Sequence, residues 1–181
     1  MIFNFTDKYQ FSTRLSINDN PIEVIDSTKL LGTIITSDLK WDQNTVHIVK
    51  KANSRMELLR RVASFGTSVE DLKNIYFLFV RSQLEQSAVV WHSSLTEDNK
   101  HDLERVQKSA VKIILGEKYK SYQQALSELG IDTLDVRSEN LCKSYLHLIQ
   151  WVTTKRPKNF TENSGVFCLL KNIVCANFQL S

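Results

Sequence analysis

From Thr45 to Ala63 the apolar residues Ile48, Val49, Ala52, Met56, Leu59 and Ala63 recur three or four positions apart, the period that lines side chains along one stripe of an α-helix. Asp42 stands where an N-cap would, and Ser64, Phe65 and Gly66 end the run. The opposite side collects His47, Lys50, Lys51, Ser54 and Arg61, so the pattern predicts an amphipathic helix with a basic outer face. Next, Thr67 or Ser68 with Glu70 and Asp71 makes a capping pattern. It opens a strongly apolar helix through Leu72, Ile75, Tyr76, Phe79 and Val80, nearly all of it expected to be buried. Gln83 to Trp91 is apolar without a clear period and fits either continued helix or a bent pair. Glu97 to Leu115 predicts another amphipathic helix, with Leu103, Val106, Ala110 and Ile113 inward and Gly116 as its stop. Ser121 to Leu129, closed by Gly130, predicts a short helix, and Leu134 to Val152, begun by Asp132 or Thr133, a last long one.

The first residues obey a different pattern. Phe3 to Thr36 reads as extended: Phe11 to Ile17 alternates loosely, Asn18 to Pro21 has turn chemistry, and Ile22 to Ile25 and Lys29 to Thr36 are short β-branched or leucine-rich runs. A hairpin plus one more strand is expected, and such a sheet needs the helices as its second layer. After Thr153, the segment Lys155 to Asn159 acts as a breaker, and Val166 to Phe178 is apolar without turn or capping logic. The expected architecture is mainly α, a helical bundle with a short N-terminal antiparallel β segment. Its parts are residues 1–37 (β segment), 38–153 (bundle) and 154–181 (poorly specified tail).

Composition agrees with that picture: 42% hydrophobic and 24% charged residues, with 5 Gly and 2 Pro in 181, exclude collagen-like and disordered classes. So few turn formers also disfavour a large all-β sandwich. Net charge is only +3, and the pI of 8.7 is below the range that marks a nucleic-acid binder by bulk charge. Distribution says more, because the predicted basic helix carries Lys50, Lys51, Arg55, Arg60 and Arg61 against Glu57 alone. No apolar run reaches the length of a membrane span, so no membrane association is expected. Three cysteines, Cys142, Cys168 and Cys175, are an odd number and favour a reduced intracellular setting, nuclear or cytoplasmic.

Other candidate chemistry is thin. His47, His92, His101 and His147 are scattered, with no second ligand at metal-binding spacing, so no metal site is expected. Cys168 and Cys175 fit small core residues better than ligands. His92 precedes Ser93 and Ser94, but chain neighbours do not make a nucleophile and base; geometry does. Asn4 and Asn159 match the glycosylation pattern, and since no secretory signal is expected these matches read as accidental. Trp91 fits a core anchor, whereas Trp41, just before the basic helix, is either a core residue or a stacking platform for a base or sugar.

Several blocks taken together, Ile2 to Thr6, Tyr9 to Leu15, Ile25 to Ile35, Asp38 to Thr45 and Lys50 to Arg61, resemble the reverse transcriptases of non-LTR retrotransposons of the LINE and jockey-like type. The likeness continues through Tyr76 to Trp91, Leu103 to Ala110 and Ile113 to Tyr119, as far as Leu141 and Cys142, and fades beyond about Lys143. It implies that Leu30, Leu31 and Gly32 form the last strand of a polymerase palm. The helices after Trp41 then resemble the thumb that tracks a template-primer duplex of RNA and DNA. In a thumb, Lys50, Lys51, Arg55 and Arg61 would contact phosphates, with Trp41 beside them; the plain alternative is a solvated charged face.

Nucleotide addition in this family uses two Mg²⁺ ions about 4 Å apart, held by carboxylates that include an adjacent Asp pair. No Asp-Asp occurs in this chain. The resemblance therefore implies that the catalytic aspartates and the fingers lie upstream of Met1. No catalytic residue and no cofactor are assigned here, and the chain alone is not expected to polymerise DNA. Two other readings stand beside this one: a helical protein-interaction module retained by a host, and a non-functional product of a decayed element.

Overall fold

The computed structural model describes residues 16–21 and 25–154, and within them the chain is mainly helical, preceded by two-stranded antiparallel hairpins. Strands β1 (Ser16–Ile17) and β2 (Asn20–Pro21) are joined by Asn18 and Asp19, both at positive φ, as a two-residue hairpin turn requires. Strands β3 (Ser27–Leu30) and β4 (Thr33–Thr36) pair in register from Ser27 opposite Thr36 to Leu30 opposite Thr33. Their turn is Leu31 (φ 49°) and Gly32 (φ 88°). The run Lys29 to Thr36, expected as one strand, thus folds back on itself, and of Leu30, Leu31 and Gly32 only Leu30 belongs to a strand. Gly32 supplies the positive φ at no steric cost, while Leu31 accepts it at the tip, 80% exposed. The blocks Ile2 to Thr6 and Tyr9 to Leu15, the tail with Cys168 and Cys175, and Asn4 and Asn159 lie outside the described residues.

The second hairpin is fastened to the first helix, α1 (Asp42–Ser64), by a side chain. In a two-residue hairpin the Lys29 and Ile34 pair does not exchange hydrogen bonds, so the Ile34 N–H points away from β3. It donates to Asn44 Oδ1 at 3.0 Å, which satisfies a strand edge that would otherwise be open. Asp42 does not cap the helix. It is the first helical residue, and its carboxylate accepts from Asn99 Nδ2 (2.7 Å) on the helix packed against it. The stripe Ile48, Ala52, Met56 and Leu59 is buried, as the periodicity predicts.

Ser68 caps α2 (Val69–Ile75), its Oγ accepting from the Asp71 N–H at 3.2 Å. The helix then widens into a π-helical segment, Tyr76–Arg81, before α3 (Ser82–Leu84). Burial here is less complete than the composition implies: Tyr76 and Val80 are buried, but Leu78 is 69% and Phe79 39% exposed. The i to i+5 bonding of a π segment changes the angular step and carries Phe79 off the stripe an α-helical count gives it, while Leu78 lies off that stripe by the α count as well. Ser87, in the left-handed region, breaks the chain before α4 (Ala88–Trp91), making Gln83 to Trp91 a bent pair. Trp91 is buried and donates its Nε1–H to the Gln86 carbonyl at 3.0 Å.

Helix α5 (Glu97–Leu115) is central, touching α1, α2, α6 (Tyr122–Leu129) and α7 (Leu134–Thr154). Being enclosed on several sides, it buries Val111, Ile114 and Leu115 as well as Leu103, Val106 and Ala110, while Ile113 is only half-buried. Inside this junction lies fully buried Gln107. Its Oε1 accepts from Tyr76 Oη (2.6 Å), and its Nε2 donates to Tyr122 Oη (2.9 Å) and to the Asp132 carbonyl (2.9 Å). Tyr122 Oη donates to one Glu104 oxygen, and the other accepts from the Leu134 N–H (3.0 Å) at the start of α7. Burial raises the ionisation of both phenols well above its ordinary range, which keeps them protonated donors.

Replacing Gln107 by Leu would leave the Tyr76 hydroxyl and the Asp132 carbonyl without this partner. We expect a loss of about 2–4 kcal/mol in urea unfolding, with the m-value unchanged. A loss below about 1 kcal/mol would mean that the knot is dispensable.

Candidate nucleic-acid interface

Because α1 turns its apolar stripe toward α5, its cations have only the outer face left. Lys50, Arg55, Arg60 and Arg61 are exposed, and Lys51 is half-buried at the edge of the stripe. Glu57 draws two of them, Arg60 at 3.3 Å and Arg61 at 3.7 Å, in exposed pairs of the kind worth at most about 1 kcal/mol. Among the described residues, Lys50, Lys51 and Arg55 have no acidic partner within ion-pair distance. The face therefore holds three un-neutralised positive charges beside a fourth, Arg61, that is shared with Glu57.

His47 sits among them. Its Nε2 is buried without a hydrogen-bond partner, and the ring is held below the ordinary imidazole range, first by burial, then by Lys29, Lys51 and Lys50. Lys29 comes from β3, and nothing in the local periodicity of a strand residue announces that it joins a helix face. Two more polar atoms in the first turns of α1, Asn44 Nδ2 and Thr45 Oγ1, are also buried and unpartnered.

Trp41 does not join this face. It is 5% exposed and belongs to the core at the foot of α1, so its ring offers no platform for a base in this conformation. An indole buries more apolar surface than almost any other side chain, and the turn leading from β4 into α1 places it inward. Leu30, Leu31 and Gly32 form the tip of the second hairpin, whose Leu31 carbonyl accepts from Gln86 Nε2 at 3.3 Å. A Cβ on Gly32 would collide with that amide.

A second polar cluster lies where α4, α5 and α7 meet. His92 is buried, its Nε2 3.5 Å from Asp135 Oδ1, and Lys100 Nζ reaches the same oxygen at 3.4 Å. His92, Lys100, Asp135 and Ser138 line a cavity of about 20 Å³ together with Leu84, Leu95, Leu103 and Leu134, room for a single water and not for a substrate. His92 thus finds a carboxylate contributed by α7 and not by its chain neighbours, and the arrangement reads as a structural junction. Among the described residues, no three His, Cys, Asp or Glu side chains are grouped to hold a metal ion, and no helix is long and apolar enough to cross a membrane.

Compared with known proteins, the chain matches no family model, no curated protein and no solved structure.

The His92 junction makes stability depend on pH. Burial holds its ionisation below the ordinary value near 6.5, with Asp135 opposing and Lys100 assisting. Below that value the unfolded chain binds the proton more readily than the folded one, so stability is lost as pH is lowered until the folded-state imidazole is itself protonated. Urea unfolding between pH 5 and 7.5 should show a positive slope of stability against pH that is smaller in His92→Asn; equal slopes would exclude His92 as a source.

Proposed function

We propose that this chain is a thumb-containing piece of a non-LTR retrotransposon reverse transcriptase, and that α1 holds the sugar-phosphate backbone of an RNA/DNA template-primer duplex. The observation that carries the reading is that Lys50, Lys51 and Arg55 of α1 have no acidic partner among the described residues. Cations left unpaired on a rigid helix are available for phosphates, and each contact releases condensed counterions. Binding of this kind fixes position along a duplex without reading bases, because none of these side chains is preset to a base edge. The resemblance of Ile25 to Ile35 and Lys50 to Arg61 to that family gives the row its context. The Mg²⁺ ions that the family uses find no donor set among the described residues, so no step through a metal is assigned to this chain.

Exposed Leu58, Phe65, Leu78 and Phe79 favour a second reading, in which the bundle packs against another polypeptide.

Fluorescence anisotropy with an RNA/DNA hybrid of random sequence separates the two. With three or four phosphate contacts, log affinity should fall against log salt with a slope of about −3 to −4. Lys50→Gln/Lys51→Gln/Arg55→Gln should weaken binding at least tenfold at 50 mM salt and remove about two to three from that slope, for any sequence. An affinity untouched by the triple substitution would remove the thumb reading and leave the protein-docking one.

A further inference from the structure

We infer that Lys29 of β3 and His47, Lys50 and Lys51 of α1 form one oxyanion seat, for a phosphate of the nucleic-acid backbone, and that His47 takes up a proton when the seat fills. The inference deepens the duplex-binding reading and rests on it for the identity of the ligand.

The geometry comes from two short links. Lys29 stands opposite Ile34, and Ile34 donates its N–H to Asn44, which lies one helical turn before His47. Lys50 and Lys51 follow His47 at the third and fourth positions, the spacing of neighbours on a helix surface. The clip holds the hairpin against the start of α1, and Lys29 from that hairpin acts on His47 ahead of Lys51 and Lys50. Lys29 and Lys50 are exposed, so the cluster opens to solvent.

Among the described residues, the charged groups acting on His47 are positive: Lys29 from the hairpin, and Lys51 and Lys50 from its own helix. Its buried Nε2 has no partner. An imidazole so placed is kept neutral by its neighbours, and it becomes a fourth cation once a negative charge enters among them. A tetrahedral oxyanion suits this set, since ammonium groups bring several rotatable donors each and phosphate oxygens accept from several directions. By linkage, affinity for the anion rises as pH falls, because the occupied state binds the extra proton.

The test uses sulfate, whose charge is constant between pH 5 and 8, followed by duplex. NMR titration of the histidine rings of the whole chain should show the apparent pKa of His47 rising by about half a unit or more in 50 mM sulfate over chloride of equal ionic strength, with His92 and His101 unmoved. In Lys29→Gln the His47 value without sulfate should be higher and the sulfate response smaller. Duplex affinity should then increase about three- to tenfold from pH 8 to pH 5.5, and His47→Gln should flatten this profile. A sulfate response without duplex binding would uphold the seat and sink the thumb reading. Duplex binding with no sulfate response at His47, or with the same pH profile in His47→Gln, would overturn the seat and leave the thumb reading standing.

Discussion

Burial of one side of α1 against α5 is the constraint from which the rest follows. Each of Ile48, Met56 and Leu59 contributes on the order of 2 kcal/mol when fully removed from water, whereas crowding exposed lysines and arginines costs only tenths. The apolar stripe therefore decides how the helix is rotated, and the cations take the direction that remains. The proposed interface needs no charged residue to be held in place by a partner: the packed face orients the unpaired one.

Around that helix, polar side chains do the joining that apolar packing leaves unspecific. Asn44 binds the hairpin edge, Asn99 binds Asp42 at the start of α1, and Gln107 gathers Tyr76, Tyr122 and the Asp132 carbonyl at a point where four elements meet. Glu85 adds an ionic link, accepting from Arg81 and from Arg137 of α7, both at 3.2 Å. These contacts fix the register of elements whose apolar faces alone would tolerate sliding. They also make the hairpin, which carries Lys29, part of the helical body.

Much of the helical architecture could be read from the chain because its signals are local. Ser68, Ser121 and Gly130 act where cap and stop residues are expected, and α5 runs between Glu97 and Leu115 as its periodicity indicates. What escaped depends on backbone states or partners remote in sequence. Leu31 in a left-handed turn is contrary to the preference of its residue type, so a strand was expected through it. The π segment disrupts the angular count that would have placed Phe79 inward. Trp41 illustrates a different limit: an indole beside a basic helix suits either a core or a surface, and only packing separates the two. Of the proposed site, the helical cations Lys50, Lys51, Arg55 and Arg61 can be named from the sequence alone; Lys29 and the buried nitrogen of His47 required the fold.

The central claim is that a duplex meets the outer face of α1. Backbone amide chemical-shift mapping of the whole chain, titrated with a short RNA/DNA hybrid at low salt, tests it most directly. The account predicts that the largest changes fall between His47 and Arg61 and at Lys29, with α6 and α7 little affected. Changes centred on α6 and α7, or none at duplex concentrations well above about 0.1 mM, the weak limit of non-specific binding, would contradict it.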